Sequence, residues 1–198
     1  MTRIIAGFAG SLALAVPRTG TRPTSDRVRE AIFSALEARG GLHGLVVLDL
    51  YAGSGALALE AVSRGAAHAV LVEKNAAAAR IAKQNAAKVT AAAARDARPR
   101  VEVVVQAVLP RLRAEQPVAG AGYDVVFIDP PYDLPDAELA ETLSALVPLL
   151  DADATVLVER SSRSPEPDWP RGLELDRSKS YGETVLWWAS PVQPAPSA

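Results

Sequence analysis

The stretch LVVLDLYAGSGALALE, residues 45–60, decides the fold. Its apolar start predicts a buried strand over 45–50, with Asp49 at the strand end. Gly53 and Gly55 then make a tight turn before a helix begins. Glycines in such a turn let a ligand approach the backbone, and the first turn of the helix offers unpaired N–H groups to an anionic group. The segment therefore predicts a strand, a turn and a helix with a ligand site at the turn.

The same alternation continues along the chain. Continuous apolar runs predict further strands over 68–73, 101–106, 123–129 and 154–160, as expected for strands that are covered on both faces. Segments with helical spacing of apolar residues separate them, which indicates a doubly wound α/β sheet with right-handed crossovers. The stretch LELDRSKSYGETVLWWA, residues 173–189, predicts an antiparallel hairpin that closes the sheet.

The N-terminal region predicts a small extension of this sheet. TRIIAG and LALAV form a short hairpin, and residues 24–41 form a helix with an N-cap at Thr24 or Ser25 and a glycine stop. We divide the chain into this hairpin and helix extension over 1–40, a main domain over 41–190 and a disordered tail over 191–198.

The composition describes a globular protein that lacks several kinds of chemistry. Of its 198 residues, 49% are hydrophobic and 22% are charged, and there is no cysteine, which excludes disulfides and thiol nucleophiles. The histidines His43 and His68 are expected in surface loops and not at a metal. No apolar run approaches the roughly 20 residues of a membrane span. A short apolar patch near the start is interrupted by glycines, so we expect a cytoplasmic protein and not a secreted one.

The charge distribution is more informative than the net charge of −2. Arginines are in excess over residues 1–30, where Arg22, Arg27 and Arg29 lie, and a second basic spot lies around 95–100. Each spot is either a solvated face or a surface for phosphates.

The turn after the first strand favours a nucleoside ligand. Gly53-x-Gly55-x-x-Ala58 matches a loose dinucleotide fingerprint, and Glu73 ends the second strand, where a ribose-binding carboxylate belongs. In an NAD site the first glycine follows the strand directly, whereas here Asp49 occupies the strand end and would repel a pyrophosphate. S-adenosylmethionine, with a sulfonium and an α-ammonium group, suits this carboxylate better.

Five motifs in a fixed order resemble those of a known family. DLYAGSG, VLVEKN and IDPPYD resemble the class I amino-directed methyltransferases. The N-terminal RPTSDRVREAIFSAL and the C-terminal KSYGETVLWW narrow the resemblance to the RsmD family of 16S rRNA guanine-N2 methyltransferases, over residues 3–189. The resemblance implies a seven-stranded Rossmann-like sheet with an antiparallel last strand. It also implies S-adenosylmethionine as cofactor and, as partner, 16S rRNA in an assembled or assembling small ribosomal subunit, with no metal and no membrane.

The resemblance gives the DPPY turn a catalytic role. The Asp129 carboxylate and the Pro130 carbonyl would accept hydrogen bonds from an exocyclic amine, whose lone pair then points at the sulfonium methyl group. Two consecutive prolines keep these acceptors rigid, so little reorganisation is needed. Tyr132 would stack on the target base. The alternative is a purely structural proline turn, and Asp133 is expected to be only a turn residue.

Motif matching also assigns cofactor contacts. Asp49 and the glycine loop would hold the methionine part, and Glu73 the ribose hydroxyls. Lys74 either lines the adenosine or is a plain surface lysine. Related enzymes often carry an acid after the third strand to meet the adenine amine, whereas this chain has Gln106 and the Ala107 backbone there. The complete predicted set is Asp49, Gly53, Ser54, Gly55, Glu73, Lys74, Gln106 and Ala107.

Arg22, Arg27 and Arg29 are predicted to bind RNA as part of an N-terminal arm. The predicted reaction is methyl transfer from S-adenosylmethionine to the N2 amine of a guanine in 16S rRNA. An adenine-N6 or other amine-directed nucleic-acid methyltransferase is the alternative enzyme. A catalytically silent RNA-binding assembly protein is the alternative without activity.

Overall fold

The computed structural model describes residues 2–17, 25–118 and 120–193. Within these ranges the strands are β1 (Thr2–Arg3), β2 (Ala13–Leu14), β3 (Val46–Leu50), β4 (His68–Glu73), β5 (Arg100–Val105), β6 (Tyr123–Ile128), β7 (Leu150–Ser161), β8 (Leu173–Tyr181) and β9 (Thr184–Pro191). The helices are α1 (Asp26–Glu37), α2 (Ala56–Ser63), α3 (Ala76–Ala92), α4 (Val108–Ala114) and α5 (Asp136–Leu146). Two short 3-10 helices lie at Arg95–Ala97 and Val147–Leu149.

Seven of the strands form one mixed sheet in the order β5-β4-β3-β6-β7-β9-β8. The five strands from β5 to β7 pair in parallel, whereas β9 is antiparallel to both β7 and β8. Gly182, with φ 61°, turns β8 back into β9. The predicted doubly wound sheet with an antiparallel last strand is confirmed.

Most predicted elements lie within a few residues of the observed ones, with one exception. Helix α4 was not predicted, because Pro110 interrupts a segment of only seven residues. Pro110 is the third residue of α4, where its missing N–H removes no helical hydrogen bond. The predicted strand over 68–73 matches β4, so the separate expectation that His68 lies in a surface loop was wrong.

The core lies on both faces of the sheet. Leu48 and Leu50 face α4 and α5, while Val47 and the flanking apolar residues face α1, α2 and α3, because side chains alternate along a strand. Ile4 of the hairpin packs in the cluster on the face covered by α1, α2 and α3. The N-terminal extension and the sheet therefore share one core.

Glu60 fastens the N-terminal hairpin to α2. Its fully buried carboxylate accepts hydrogen bonds from the backbone N–H groups of Ile5 at 2.6 Å and Ala6 at 3.0 Å. It also pairs with Arg64 Nε at 2.8 Å, which offsets the cost of burying the charge. The predicted arm residue Arg22 and residues 194–198 of the predicted tail lie outside the described residues.

No helix in the described part of the chain is both long and apolar enough to cross a membrane.

Candidate active site

Four carboxylates gather at the edge where β3, β4, β6 and β7 end. They belong to Asp49, Glu73, Asp129 and Glu159. Two positions before each acidic residue, the strand carries an apolar side chain that packs against α1, α2 and α3. These side chains are Val47, Leu71, Phe127 and Leu157. Because side chains repeat with a period of two, all four carboxylates lie on that face of the sheet. This is also the edge at which open α/β sheets bind ligands.

The glycine loop connects β3 to α2 in a left-handed conformation. Tyr51, Gly53 and Gly55 have φ values of 66°, 55° and 79°. A Cβ at Gly55 would lie 2.6 Å from Leu71 Cδ2, whereas one at Gly53 would meet no atom closer than Tyr51 O at 4.0 Å. Gly55 is therefore required by packing against β4, and the open space for a ligand lies over Gly53. Packing thus gives Gly55 a reason of its own, and contact of the two glycines with a ligand stays a prediction.

Asp49, at the end of β3, is bonded to the first turn of the helix that follows this loop. Its side chain is 2% exposed, and Oδ2 accepts a hydrogen bond from Ala58 N at 3.1 Å. Ala58 is the third residue of α2, whose N-cap, Gly55, has no side chain to offer. Burial raises the pKa of Asp49 to about 8 against the effect of this hydrogen bond, and the charges of Asp129 and Glu73 add to the rise. Asp49 thus caps α2 from the sheet and carries a carboxyl group that is costly to ionise alone.

Glu73 joins the glycine loop to the start of α3. Its Oε2 accepts from Gly53 N at 2.9 Å, and its Oε1 accepts from Asn75 N at 2.7 Å. Each oxygen keeps a lone pair for a further donor. The carboxylate is therefore fixed in position, as a group that receives two ligand hydroxyls should be.

Asn85 of α3 is a site residue that sequence reasoning missed. Its side chain is fully buried and donates from Nδ2 to Ser54 O and Ala15 O, each at 2.9 Å. Its Oδ1 accepts from Ala15 N at 2.9 Å. Asn85 thereby links the glycine loop to the N-terminal segment. An amide among the alanines of the buried helix face was the only signal for it.

The remaining predicted cofactor residues lie beside Glu73. Lys74 is exposed directly after it, and the exposed Gln106 follows β5 and donates its backbone N–H to Glu73 O at 3.2 Å. Ala107 is the N-cap position of α4 and is exposed as well. These residues form a polar rim on the β5 side of Glu73.

The DPPY turn lies on the other side of the glycine loop. Asp129 is half-buried, Pro130 is buried and Tyr132 is 63% exposed. A small cavity opens next to the turn, and it is lined by Asp129, Pro130, Tyr132, Glu159, Arg160, Ser161 and Ser164. The turn thus combines two fixed oxygen acceptors with an exposed ring.

Arg160 of β7 holds this turn and was also missed. Its side chain is buried, and both terminal nitrogens donate to Leu134 O at 3.3 Å. One of them also pairs with Asp136 Oδ1 at 2.6 Å. Both partners follow the turn closely, so Arg160 fixes the chain as it leaves the DPPY motif.

The two described arginines of the predicted RNA-binding arm differ in their exposure to solvent. Arg27 is exposed on α1, whereas Arg29 is 1% exposed. The Arg29 guanidinium donates to Arg3 O at 2.9 Å and to Asp26 Oδ1 at 2.6 Å, and this hydrogen bond holds the pKa of Asp26 below its usual value. The prediction that Arg29 contacts RNA is wrong, because its charge is used inside the protein.

The gathered carboxylates suit a cationic ligand better than a metal ion. In the described ranges, no group of three or more His, Asp or Glu side chains is arranged to hold a metal. A partly buried surplus of negative charge attracts an organic cation and disfavours an anion. Asp49 adds to this charge when a bound cation favours its ionised form, because burial raises its pKa to about 8.

Comparison with known proteins places this site in a family. Residues 2–190 match the family model described as conserved hypothetical protein 95. The ribosomal RNA small subunit methyltransferase D of Escherichia coli K12 is 35% identical over 186 residues, covering 92% of this chain and 86% of that protein. The protein of the same name from Haemophilus influenzae is 35% identical over 164 residues, covering 82% and 80%.

Solved structures share the whole architecture. The Escherichia coli protein yhhF superimposes with a TM-score of 0.77 at 32% identity, covering 96% of this chain and 97% of that one. A hypothetical protein of Thermus thermophilus gives a TM-score of 0.74 at 33% identity, covering 95% and 98%. Because the family match, the relatives and the structures each span most of the chain, this protein belongs to the conserved hypothetical protein 95 family, which is the RsmD family.

Proposed function

We propose that this protein transfers a methyl group from S-adenosylmethionine to the exocyclic N2 amine of a guanine in the 16S rRNA of the small ribosomal subunit. The observation that carries the proposal is the placement of the Asp129–Pro130 turn at the same sheet edge as the carboxylates of Asp49 and Glu73. The ribosomal RNA small subunit methyltransferase D of Escherichia coli, at 35% identity, supports the proposal. Such a reaction belongs in the cytoplasm, where ribosomal subunits assemble.

The residues at the sheet edge fit this cofactor. Glu73 supplies negative charge for the cationic cofactor, and a bound cation would favour the ionised form of Asp49, whose pKa burial raises to about 8. Glu73 is held by two backbone N–H groups in a position to accept hydrogen bonds from the ribose hydroxyls. Gly53 leaves open space above the loop. Gln106 and the Ala107 backbone, on the rim beside Glu73, would meet the adenine. When bound, the cofactor supplies an electrophilic methyl group.

The DPPY turn would prepare the attacking amine. The lone pair of an exocyclic amine is delocalised into the base and is a poor nucleophile. Hydrogen bonds from the amine to the Asp129 carboxylate and the Pro130 carbonyl favour a pyramidal nitrogen with a localised lone pair. Arg160 and the two prolines keep these acceptors fixed, so that they stabilise the transition state without reorganisation. Tyr132, with its exposed ring, would stack on the flipped base.

The choice of guanine over adenine has a chemical reason. Guanine presents an N1–H beside its N2 amine, whereas adenine presents a bare N1 acceptor beside N6. Carboxylates next to the amine accept the guanine N1–H but repel the adenine lone pair. Both Asp129 and Glu159 line the cavity at the turn, which supports guanine.

Labelled cofactor tests this function directly. Small ribosomal subunits are incubated with the protein and with S-adenosylmethionine that carries a labelled methyl group, and the rRNA is then digested to nucleosides and separated with mass detection. We expect N2-methylguanosine. N6-methyladenosine as the sole product would replace the proposed base. Cofactor and RNA binding without any labelled nucleoside would favour the silent assembly protein.

A further inference from the structure

A continuous part of the chain carries charge of the opposite sign to the rest. From Lys74 to Arg100 there are seven lysines and arginines against one acid, Asp96, although the whole chain has a net charge of −2. The remaining residues are therefore strongly acidic. Such an asymmetry concentrates a positive field on one region of an acidic protein.

The fold places these cations on one outer face. Arg80, Lys83 and Lys88 all lie on the exposed side of α3, within an arc of about 140° at 100° per residue. The opposite side of the helix is buried against the sheet. Arg95, Arg98 and Arg100 follow in the connection to the edge strand β5 and are exposed too. We call the surface formed by Arg80, Lys83, Lys88, Arg95, Arg98 and Arg100 the α3 basic face.

Internal ion pairs do not neutralise this face. Arg100 pairs with Glu102. Among the described residues, Arg80, Lys83 and Lys88 have no carboxylate oxygen within 4.0 Å, and the same holds for Arg95 and Arg98. Elsewhere on the described surface, exposed arginines such as Arg113 and Arg163 do have an acidic partner. The charge of the face is therefore available to a partner.

The shape of the face suits an extended chain. An open groove of about 330 Å³ runs between α3 and β5, with Lys83 at its side and with Ala86, Thr90, Val101 and Val103 among its lining residues. The 17 residues of α3 span about 25 Å. A polynucleotide alternates charged phosphates with apolar sugar edges. The groove offers small apolar residues with Lys83 at its side, and the other cations of the face lie on α3 and in the connection to β5.

The face begins at the proposed cofactor site. Helix α3 starts directly after Glu73, and β5 lies three strands from β6, which leads into the DPPY turn. Three strand spacings are about 15 Å. The Arg80 end of the face is therefore the end nearest the DPPY turn, whereas Arg95, Arg98 and Arg100 lie towards the opposite edge of the sheet. RNA that lies along the face would reach the turn from the Arg80 end.

We propose that the α3 basic face binds the sugar–phosphate backbone of the rRNA substrate; this inference rests on the proposed function. The face supplies affinity that depends on salt and not on sequence, because each neutralised phosphate releases counterions. RNA fits better than an acidic protein surface, because the cations extend along α3 and into the connection to β5 and are not gathered in a compact cluster. Because Arg29 of the N-terminal arm is buried and does not reach the surface, a second basic surface would add phosphate contacts that the arm lacks.

Charge reversal with a matched control tests this surface. Arg80→Glu/Lys88→Glu reverses two charges on the face, and Arg113→Glu/Arg171→Glu reverses two exposed charges elsewhere, so both proteins have the same net charge. Binding to a 16S rRNA transcript is measured from about 50 to about 200 mM salt. We expect the slope of log affinity against log salt to fall by about 1.5 for the first variant, since each lost phosphate contact removes about 0.7–0.9. The slope of the control should stay at the wild-type value.

The other outcomes are distinct. Equal slopes of log affinity against log salt for the two double variants, with unchanged melting temperatures, would overturn the inference. Methyl transfer by the wild type would in that case still support the proposed function. Normal binding of Arg80→Glu/Lys88→Glu to the free transcript with weakened binding to small subunits would also overturn it, in favour of an acidic ribosomal protein. A wild type that neither binds rRNA nor transfers methyl groups would overturn both proposals.

Discussion

Arg160 donates from both terminal guanidinium nitrogens to the Leu134 carbonyl oxygen, at 3.3 Å each. The two residues belong to different parts of the chain, one to β7 and one to the segment that leaves the DPPY turn. A buried carbonyl without a donor costs about 1–3 kcal/mol. Arg160 therefore fixes the backbone where it leaves the turn, and we infer that it helps to hold Asp129 in place.

Replacing Arg160 should affect turnover more than cofactor binding. We expect Arg160→Met to lower the free energy of unfolding by about 2 kcal/mol, because a hydrogen-bonded charge is lost. The kcat for methyl transfer should fall as well, while the dissociation constant of S-adenosylmethionine stays close to the wild-type value. Urea unfolding, calorimetry and a methyl-transfer assay measure these quantities. Arg163→Met, at a side chain that is 88% exposed, is the control and should change stability by less than about 0.5 kcal/mol.

The buried carboxyl of Asp49 makes stability depend on pH. Burial raises its pKa to about 8, above the ordinary value of 3.8 that applies to the unfolded chain. Between these values the folded protein holds a proton that the unfolded chain has lost, so stability falls as the pH rises. The contribution is fully present below about pH 4 and is lost as the pH passes 8. We expect Asp49→Asn, which can still cap α2, to be less sensitive to pH between about 4 and 8 in thermal unfolding. Identical pH profiles for the two proteins would contradict the raised pKa.

The sheet was predictable because its signals are local. Continuous apolar runs such as those of β3 and β4 mark buried parallel strands, and the polar residues that end them must meet at one edge. Asp49, Glu73 and Asp129 could therefore be placed together without coordinates. The distances between these carboxylates and the glycine loop could not be predicted, because they depend on the left-handed backbone at Gly53 and Gly55.

The residues that sequence reasoning missed or misassigned have distant partners. Asn85 bonds to Ala15 across 70 residues and Arg160 to Leu134 across 26, and a polar side chain gives no sign of such a partner in its own neighbourhood. Arg29 has a local partner in Asp26, but its burial depends on Arg3, which arrives from the hairpin. A cluster of arginines in the sequence is thus not the same as a basic surface in the fold.

The carboxylate of Asp129 should be needed for transfer and not for cofactor binding. We expect Asp129→Asn to lower kcat by about 100-fold or more, the usual cost of removing one preorganised group from a transition state. Asp133→Asn is the matched control, because Asp133 is exposed in the same turn. Single-turnover assays on small subunits measure the first effect, and calorimetry measures cofactor affinity. Transfer by Asp129→Asn within tenfold of wild type, about 1.4 kcal/mol in the barrier, would remove Asp129 from the catalytic role.

The two glycines of the loop should fail in different ways when they are replaced. Gly55→Ala places a methyl group 2.6 Å from Leu71 Cδ2 at a φ of 79°, so packing and backbone strain both act, and we expect a loss of stability above about 2 kcal/mol. Gly53→Ala meets no close atom and should cost only the left-handed strain of about 1 kcal/mol. Its methyl group enters the space proposed for the cofactor, however, so S-adenosylmethionine affinity should fall more than stability does.

Chemical denaturation together with calorimetric titration separates these two effects. Gly55→Ala should have a lower unfolding midpoint and, where it is folded, a cofactor affinity near that of the wild type. Gly53→Ala should have a midpoint close to that of the wild type and an affinity at least about tenfold weaker, since a misplaced methyl group excludes a ligand at van der Waals contact. If Gly53→Ala binds the cofactor as tightly as the wild type, the ligand does not lie over Gly53, and the cofactor site must be moved along the loop.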